Sequence, residues 1–404
     1  MRDNPIVICF PFVGDELGGS HVSASKLIEA LDPARVRALV VLHVADGPLA
    51  GYLRQRGIPF EVLAVGIAAG GGRADRRVGI GKSIAPMLRA TLPLARFLRA
   101  RGVDILHTND GRIHALWALP AKLAGVRQVW HHRGDPDARG VNLVAPVLAS
   151  HIVTVSRFAM PRRPLLPVAH KLTVLHSPFE LPGAVGDRAD ARAMLLETLG
   201  CVAGMRFLGM FGLLIDRKRP LAFVEIIAAF CRRHPDIPVM GLLFGVPGKA
   251  EPDFDRAVLR RAQELGVGER IRLMGYRDPP EPWMQAIDVL LVPAVREPFG
   301  RTLIEAMFLG TPVVATDDGG NPEAIEPGVN GILVPPDEPE AFIAPIHRLL
   351  TDPVHCAEIV EAARARAHAD YDVDGHVAGL MAIYERLRRR PGGMRVRSVR
   401  RTTA

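Results

Sequence analysis

A chain of 404 residues is about two to three times the usual domain length, and 48% apolar with 23% charged residues suits packed cores and excludes long disorder or a fibrous repeat. The formal charge of +8 is localised, because residues 386–404 hold eight arginines and no acid, so the rest of the chain sums to zero. No apolar run approaches the roughly 20 uninterrupted residues that cross a bilayer, and the N-terminus lacks the apolar core of a secretion signal, so a cytoplasmic location is expected.

From the N-terminus, short β-rich runs at 6–10, 39–43, 104–107, 128–130 and 152–155 alternate with amphipathic segments, which predicts parallel βαβ units. Between the second and third runs, Arg73 to Arg101 hold seven arginines and one lysine against Asp75 alone, partly on a helical pattern with apolar Ile84, Leu88, Leu92 and Leu98. A polar stretch containing Pro, Asp and Gly at 177–204 reads as a linker with a short helix, so the first domain ends near 180 and the linker takes 181–204. The alternation restarts at 207–211, 239–244, 271–274, 289–292, 312–315 and 332–334, placing a second domain over 205–370. Closing helices are expected at 341–350, 356–368 and 373–390, with a basic disordered tail over 391–404. The fold class is therefore α/β, two Rossmann-like doubly wound parallel-sheet domains facing a cleft at the carboxyl ends of their strands. Cys9, Cys201, Cys231 and Cys356 lie far apart with no CxxC pair, as ordinary buried thiols do.

The most informative stretch is Glu297-Pro-Phe-Gly-Arg-Thr-Leu-Ile-Glu305, followed by Gly310-Thr-Pro-Val-Val-Ala and then Gly319-Gly320-Asn321-Pro322-Glu323. A strand, a loop with Gly300 and a helix from about Arg301 leave backbone N–H groups unpaired at the helix start. With about half a positive charge from the helix dipole, they make an anion site suited to a diphosphate. Glu297 precedes that site and Glu305 lies about one turn inside the helix, so the two carboxylates can address opposite ends of a nucleotide-sugar. One can accept both hydrogens of a ribose diol while the other orients sugar hydroxyls.

This run resembles the donor signature of the retaining glycosyltransferases of family four, which have the GT-B fold: Glu, seven residues, Glu, then Gly-x-Pro-Val-Val-Ala and a Gly-Gly-x-Pro-Glu turn. The resemblance implies that Glu297 contacts the transferred sugar, Gly300, Arg301, Thr302 and Leu303 the diphosphate, and Glu305 the ribose, with Phe299 in the same donor-binding segment. Gly18-Gly19-Ser20, after the first strand, matches the family's glycine loop near donor phosphate and acceptor. Trp130-His131-His132-Arg133 ends another strand where the family often has a histidine near the reacting centre, and His131, His132 or Arg133 can hold that position. Gly212-Leu213 to Lys218 resembles the family's Gly-Arg-Leu…Lys motif, whose two cations neutralise the diphosphate. Lys218 matches, Leu213 stands where the arginine is expected, and Arg217 or Arg219 is left to substitute. Gly245 matches a glycine that admits the nucleotide.

The implied activity is transfer of a hexose-type sugar from a nucleoside diphosphate donor to a glycan or lipid-linked acceptor, with retention, in cell-surface polysaccharide or glycolipid synthesis. Neither cofactor nor metal is implied, and Lys218, Glu297 and one of His131 and His132 carry the chemistry. The alternatives are an epimerase or phosphorylase of the same plan and a degenerate nucleotide-sugar-binding protein. Gly79-Ile-Gly81-Lys82-Ser83 lacks the first glycine of a P-loop, and Asp-x-Asp recurs at 135/137, 253/255 and 372/374 too freely to mark a metal site. The arginine tail and the Arg73 to Arg101 stretch suit the anionic inner face of a membrane. No recognition motif or aromatic interleaving points to nucleic acid.

Overall fold

The computed structural model describes residues 4–65, 81–179, 186–201, 204–248 and 250–389, with the side chains of 81–87 excepted. The proposed tail at 391–404, Arg73, Arg76, Arg77 and, in the P-loop-like segment, Gly79 and Ile80 lie outside the described residues. Among the described residues, thirteen strands form two all-parallel sheets.

The first sheet contains β1 (Ile6–Phe12), β2 (Val36–Leu42), β3 (Phe60–Val62), β4 (Ile105–Thr108), β5 (Arg127–His132), β6 (His151–Thr154) and β7 (Leu172–Val174), in the order β3-β2-β1-β4-β5-β6-β7. The second contains β8 (Arg206–Phe211), β9 (Val239–Phe244), β10 (Ile271–Gly275), β11 (Val289–Val292), β12 (Val313–Thr316) and β13 (Ile332–Val334), in the order β10-β9-β8-β11-β12-β13. Both orders reverse direction once, between β1 and β4 and between β8 and β11. A sheet wound this way opens a crevice at the reversal, where no helix covers the strand ends.

The strands form because their apolar runs are buried on both faces, as in a sheet flanked by helices. Every residue of β9 and β11 is buried. The two edge strands β3 and β7 were not expected from the sequence, since each is three residues long and only partly buried, leaving no apolar run to read. The helix Gly81–Ala100 buries Ala90, Leu94 and Leu98, whereas Leu88 and Leu92 are exposed, so the apolar stripe expected through Leu88 and Leu92 faces outward. Two rows of apolar residues run along this helix at four-residue spacing. Contact with Trp117 and Ile113 selects the Ala90 row.

Two helices cross the proposed boundaries. Arg188–Leu199, inside the stretch read as linker, packs Ala191 and Leu195 into the C-terminal core, and Arg192 pairs with Asp288 at 2.8 Å. The last helix, Val373–Arg389, returns to the N-terminal domain, where Leu380, Ile383, Tyr384 and Leu387 join Ile8 and Phe10 in one core. Arg386 and Arg388, counted with the basic tail, sit on that helix against His151 and the Asn4 carbonyl. The chain thus crosses between domains twice, near 180 and near 371. All four cysteines are free.

Candidate active site in the interdomain cleft

At the C-terminal reversal, the loops after β8 and β11 meet. Lys218 Nζ lies 3.2 Å from Glu297 Oε2, and Arg217 Nη2 is 3.6 Å from the same oxygen. Two cations therefore share one largely buried carboxylate. Arg219 turns away, with a left-handed φ of 57°, and pairs with the exposed Asp337 at 2.6 Å. Of the two candidates for the cation absent at Leu213, the structure brings Arg217 to Glu297 and sends Arg219 to the surface. Leu213 itself is 51% exposed.

The backbone around Glu297 is fixed by close glycine contacts. A Cβ on Gly319, whose φ is +65°, would stand 2.5 Å from the Glu297 carbonyl oxygen, and one on Gly320 2.4 Å from the Pro298 oxygen. Gly320 N donates to Glu297 O at 2.8 Å. Only glycine allows this approach. Gly245 has a similar structural duty, since a Cβ there would stand 1.9 Å from Gly212 O. This close approach packs the β8 and β9 loops against each other.

Gly300 caps the helix Arg301–Leu309 without a side-chain hydrogen bond, so the first backbone N–H groups keep their capacity for an anion. Phe299 and Leu303 are 7% and 1% exposed, and Phe299 stacks on His176 with ring centroids 4.8 Å apart. Their side chains belong to the core, which leaves backbone groups as their contribution to a donor site. Thr302 is half-buried on the same helix.

The N-terminal domain closes over this loop. Arg296 donates to Asp135 at 3.1 Å and to Asp137 at 2.8 Å, so this Asp-x-Asp serves an ion-pair contact between domains. Ser156 Oγ donates to Pro298 O. Glu323 accepts from the Arg157 and Phe158 amides at 2.8 and 2.9 Å and pairs with His176 at 3.4 Å. Burial pushes the Glu323 carboxyl up, but His176 and those amides outweigh it and hold it below the usual range. Arg301 crosses the cleft: it donates to Ser23 Oγ at 2.7 Å and to Glu305 Oε1 at 2.9 Å, and its guanidinium lies 4.7 Å from the Phe179 ring centre. A Cβ on Gly19 would meet Arg301 Cδ at 2.8 Å, whereas Gly18 has open space apart from His21 at 3.9 Å.

His131 and His132 are both buried but differ in their partners. His131 is fully buried in a chain in which the Tyr384 hydroxyl reaches His107 Nδ1 and His107 Nε2 reaches His131 Nδ1 at 3.1 Å. Burial, reinforced by Arg133, holds the His131 imidazole well below its ordinary value, so it is neutral near pH 7. His132 folds onto its own loop, with Nε2 3.0 Å from the Asp135 carbonyl.

Arg296, Ser156 and Arg301's reach to Ser23 were not legible as site features. No sequence spacing links partners more than 140 residues apart. Among the described residues, no group of three or more His, Cys, Asp and Glu side chains gathers as metal ligands, and no helix is long and apolar enough to cross a membrane.

Comparison with known proteins places this geometry. Residues 206–352 match the family described as glycosyl transferases group 1. Curated relatives include D-inositol 3-phosphate glycosyltransferases of Corynebacterium urealyticum, 31% identical over 51% of this chain and 48% of that protein, and of Nocardia farcinica, 35% identical over 49% and 44%. The chain spans about half the length of these relatives. HepE of Anabaena, solved with UDP and glucose, superposes with a TM-score of 0.78 at 23% identity, over 94% of this chain and all of that one. A glycosyltransferase of Rickettsia africae gives a TM-score of 0.77 at 17% identity, over 96% and 100%. The two-domain architecture is that of GT-B glycosyltransferases, and the similarity to glycosyl transferases group 1 lies in the C-terminal domain.

Proposed function

We propose that this protein is a retaining hexosyltransferase that takes a sugar from a nucleoside diphosphate donor and passes it to a glycan or lipid-linked acceptor without a metal ion. The observation that carries this reading is the meeting of Lys218 and Arg217 at Glu297, beside the uncapped helix start at Gly300. As the bond to the leaving diphosphate breaks, negative charge grows on its oxygens while the sugar becomes cation-like. Fixed cations and N–H groups at the first and a carboxylate at the second stabilise that separation. Closure of the N-terminal domain over the loop, through Arg296, Ser156 and Glu323, excludes water from the activated donor.

Glu305, held by Arg301, is assigned to the ribose, and the space beside Gly18 to the acceptor side. A peripheral contact with an anionic, inner membrane face belongs to the same reading, since exposed Leu88 and Leu92 lie beside exposed Arg89 and Arg96. The test is a mass-spectrometric screen of nucleotide sugars for binding, followed by NMR of the product formed from the hit. An α-linked product from an α-linked donor is expected. An inverted product would overturn retention, and free epimer or phosphate-dependent sugar phosphate release would favour an epimerase or phosphorylase.

A further inference from the structure

Arg133, at the end of β5, is a cation enclosed by neutral groups. Its Nη1 donates to Ser177 Oγ at 2.8 Å, its Nε to Asn109 Oδ1 at 3.4 Å and its Nη2 to His131 Nδ1 at 3.5 Å. Among the described residues no carboxylate pairs with it. The largest charge effect on it comes from another guanidinium, Arg301, which reaches over from the opposite domain. Burial first, and Arg301 second, lower its pKa from the ordinary arginine value to about 9.

The neighbouring polar atoms point the same way. A guanidinium only donates, so His131 Nδ1 must be the acceptor and the imidazole proton sits on Nε2. That Nε2–H is buried without a hydrogen-bond partner. Asn109 Oδ1 receives Arg133, which leaves its Nδ2 as a donor, also buried and also without a partner. A charge kept out of water without a counter-ion is costly, and so are unmade donor bonds. A guanidinium without a counter-ion and idle donors on the residues that hold it are what a bound anion would satisfy.

We propose that Arg133, together with Asn109 Nδ2, His131 Nε2–H and Arg301, forms a binding site for a phosphoryl group of a substrate, either the diphosphate of the donor or a phosphate on the acceptor. A doubly charged tetrahedral anion answers two guanidiniums better than a single carboxylate does, and it offers oxygens in several directions to donors on different elements. The two sources rest on the transferase reading, but phosphate binding is measured without any transfer. A protein that binds phosphate through Arg133 and moves no sugar would sink that reading and leave this one standing.

The experiment uses the full chain, as wild type and as Arg133→Gln, which keeps a polar side chain toward Ser177 without the charge. Inorganic phosphate and UDP are titrated by calorimetry and thermal shift. Phosphate is expected to stabilise the wild type and to bind Arg133→Gln at least about tenfold more weakly, the usual loss for one charged hydrogen bond. If UDP affinity falls in parallel, the site takes the donor diphosphate. If UDP affinity is unchanged, it takes a phosphorylated acceptor. Equal phosphate binding by both proteins overturns the site. A second measurement needs no variant: phenylglyoxal labelling of wild-type Arg133, read by peptide mass spectrometry, should be blocked by phosphate, and equal labelling with and without phosphate also overturns it.

Discussion

Lys218 Nζ stands 3.2 Å from Glu297 Oε2, a cation on the β8 loop against a carboxylate on the β11 loop, at the point where the second sheet reverses. Arg217 shares that carboxylate and Arg219 does not. Lys218→Ala is expected to cut turnover by about a hundredfold or more, the scale for losing one charge-stabilising contact. Arg217→Ala should follow with a smaller loss. Arg219→Ala should leave steady-state kinetics near wild type, because an exposed pair with Asp337 contributes about 0–1 kcal/mol. An Arg219 effect larger than that of Arg217 would reverse the assignment.

Glu305 accepts from Arg301 at 2.9 Å on the same helix. With the ribose assigned to it, Glu305→Ala is expected to weaken UDP binding by about tenfold or more, with kcat for saturating donor much less affected. Calorimetry showing wild-type affinity for UDP would remove the ribose assignment.

Gly319 tests the backbone beneath Glu297. Its φ of +65° and the 2.5 Å approach to Glu297 O leave no room for a methyl group. Gly319→Ala should cost at least about 1 kcal/mol in stability and lower turnover by displacing Glu297. Denaturant unfolding and donor hydrolysis measured on the same preparation check both. Full activity in the variant would show that the turn can move without carrying the carboxylate.

Glu323 tests domain closure. Its two amide bonds and its contact with His176 tie the Gly-Gly turn to the loop after β6. Glu323→Ala leaves two N–H groups without this acceptor, at a cost of about 1–3 kcal/mol, and should widen the molecule in small-angle scattering. Unchanged scattering and unchanged KM for acceptor would place the contact outside the closing interface.

The buried histidines set a pH dependence. Burial is the largest cause in each case: His107, His114 and His131 are held well below 6.5, and His376 at about 3. The folded state therefore binds fewer protons than the unfolded chain, whose histidines titrate near 6.5. Stability is complete above that value and is lost as pH falls from 6.5 toward about 3, at about 1.4 kcal/mol per pH unit for each histidine that stays neutral. Urea unfolding at pH 7.5 and pH 5.5 should show the lower midpoint at pH 5.5. Equal midpoints would mean these rings reach water.

The legible parts of this protein were those written in short-range pattern. Runs such as 207–211 and 239–244 announced strands because both of their faces are buried, and Gly300 before Arg301 announced a helix start without a side-chain cap. Where a pattern was faint or ambiguous, as in the half-exposed β3 and β7 or the two apolar rows of Gly81–Ala100, only packing could choose.

By itself, then, the sequence determined two parallel sheets, their approximate strands and the strand-loop-helix at Glu297 to Glu305, since these depend on neighbours along the chain. Which arginine joins Lys218, which histidine joins the His107–Tyr384 chain, what Arg301 and Glu323 reach, and where the last helix packs were decided by the tertiary structure alone. Those contacts join residues up to 384 positions apart, and their geometry exists only once the whole chain has folded.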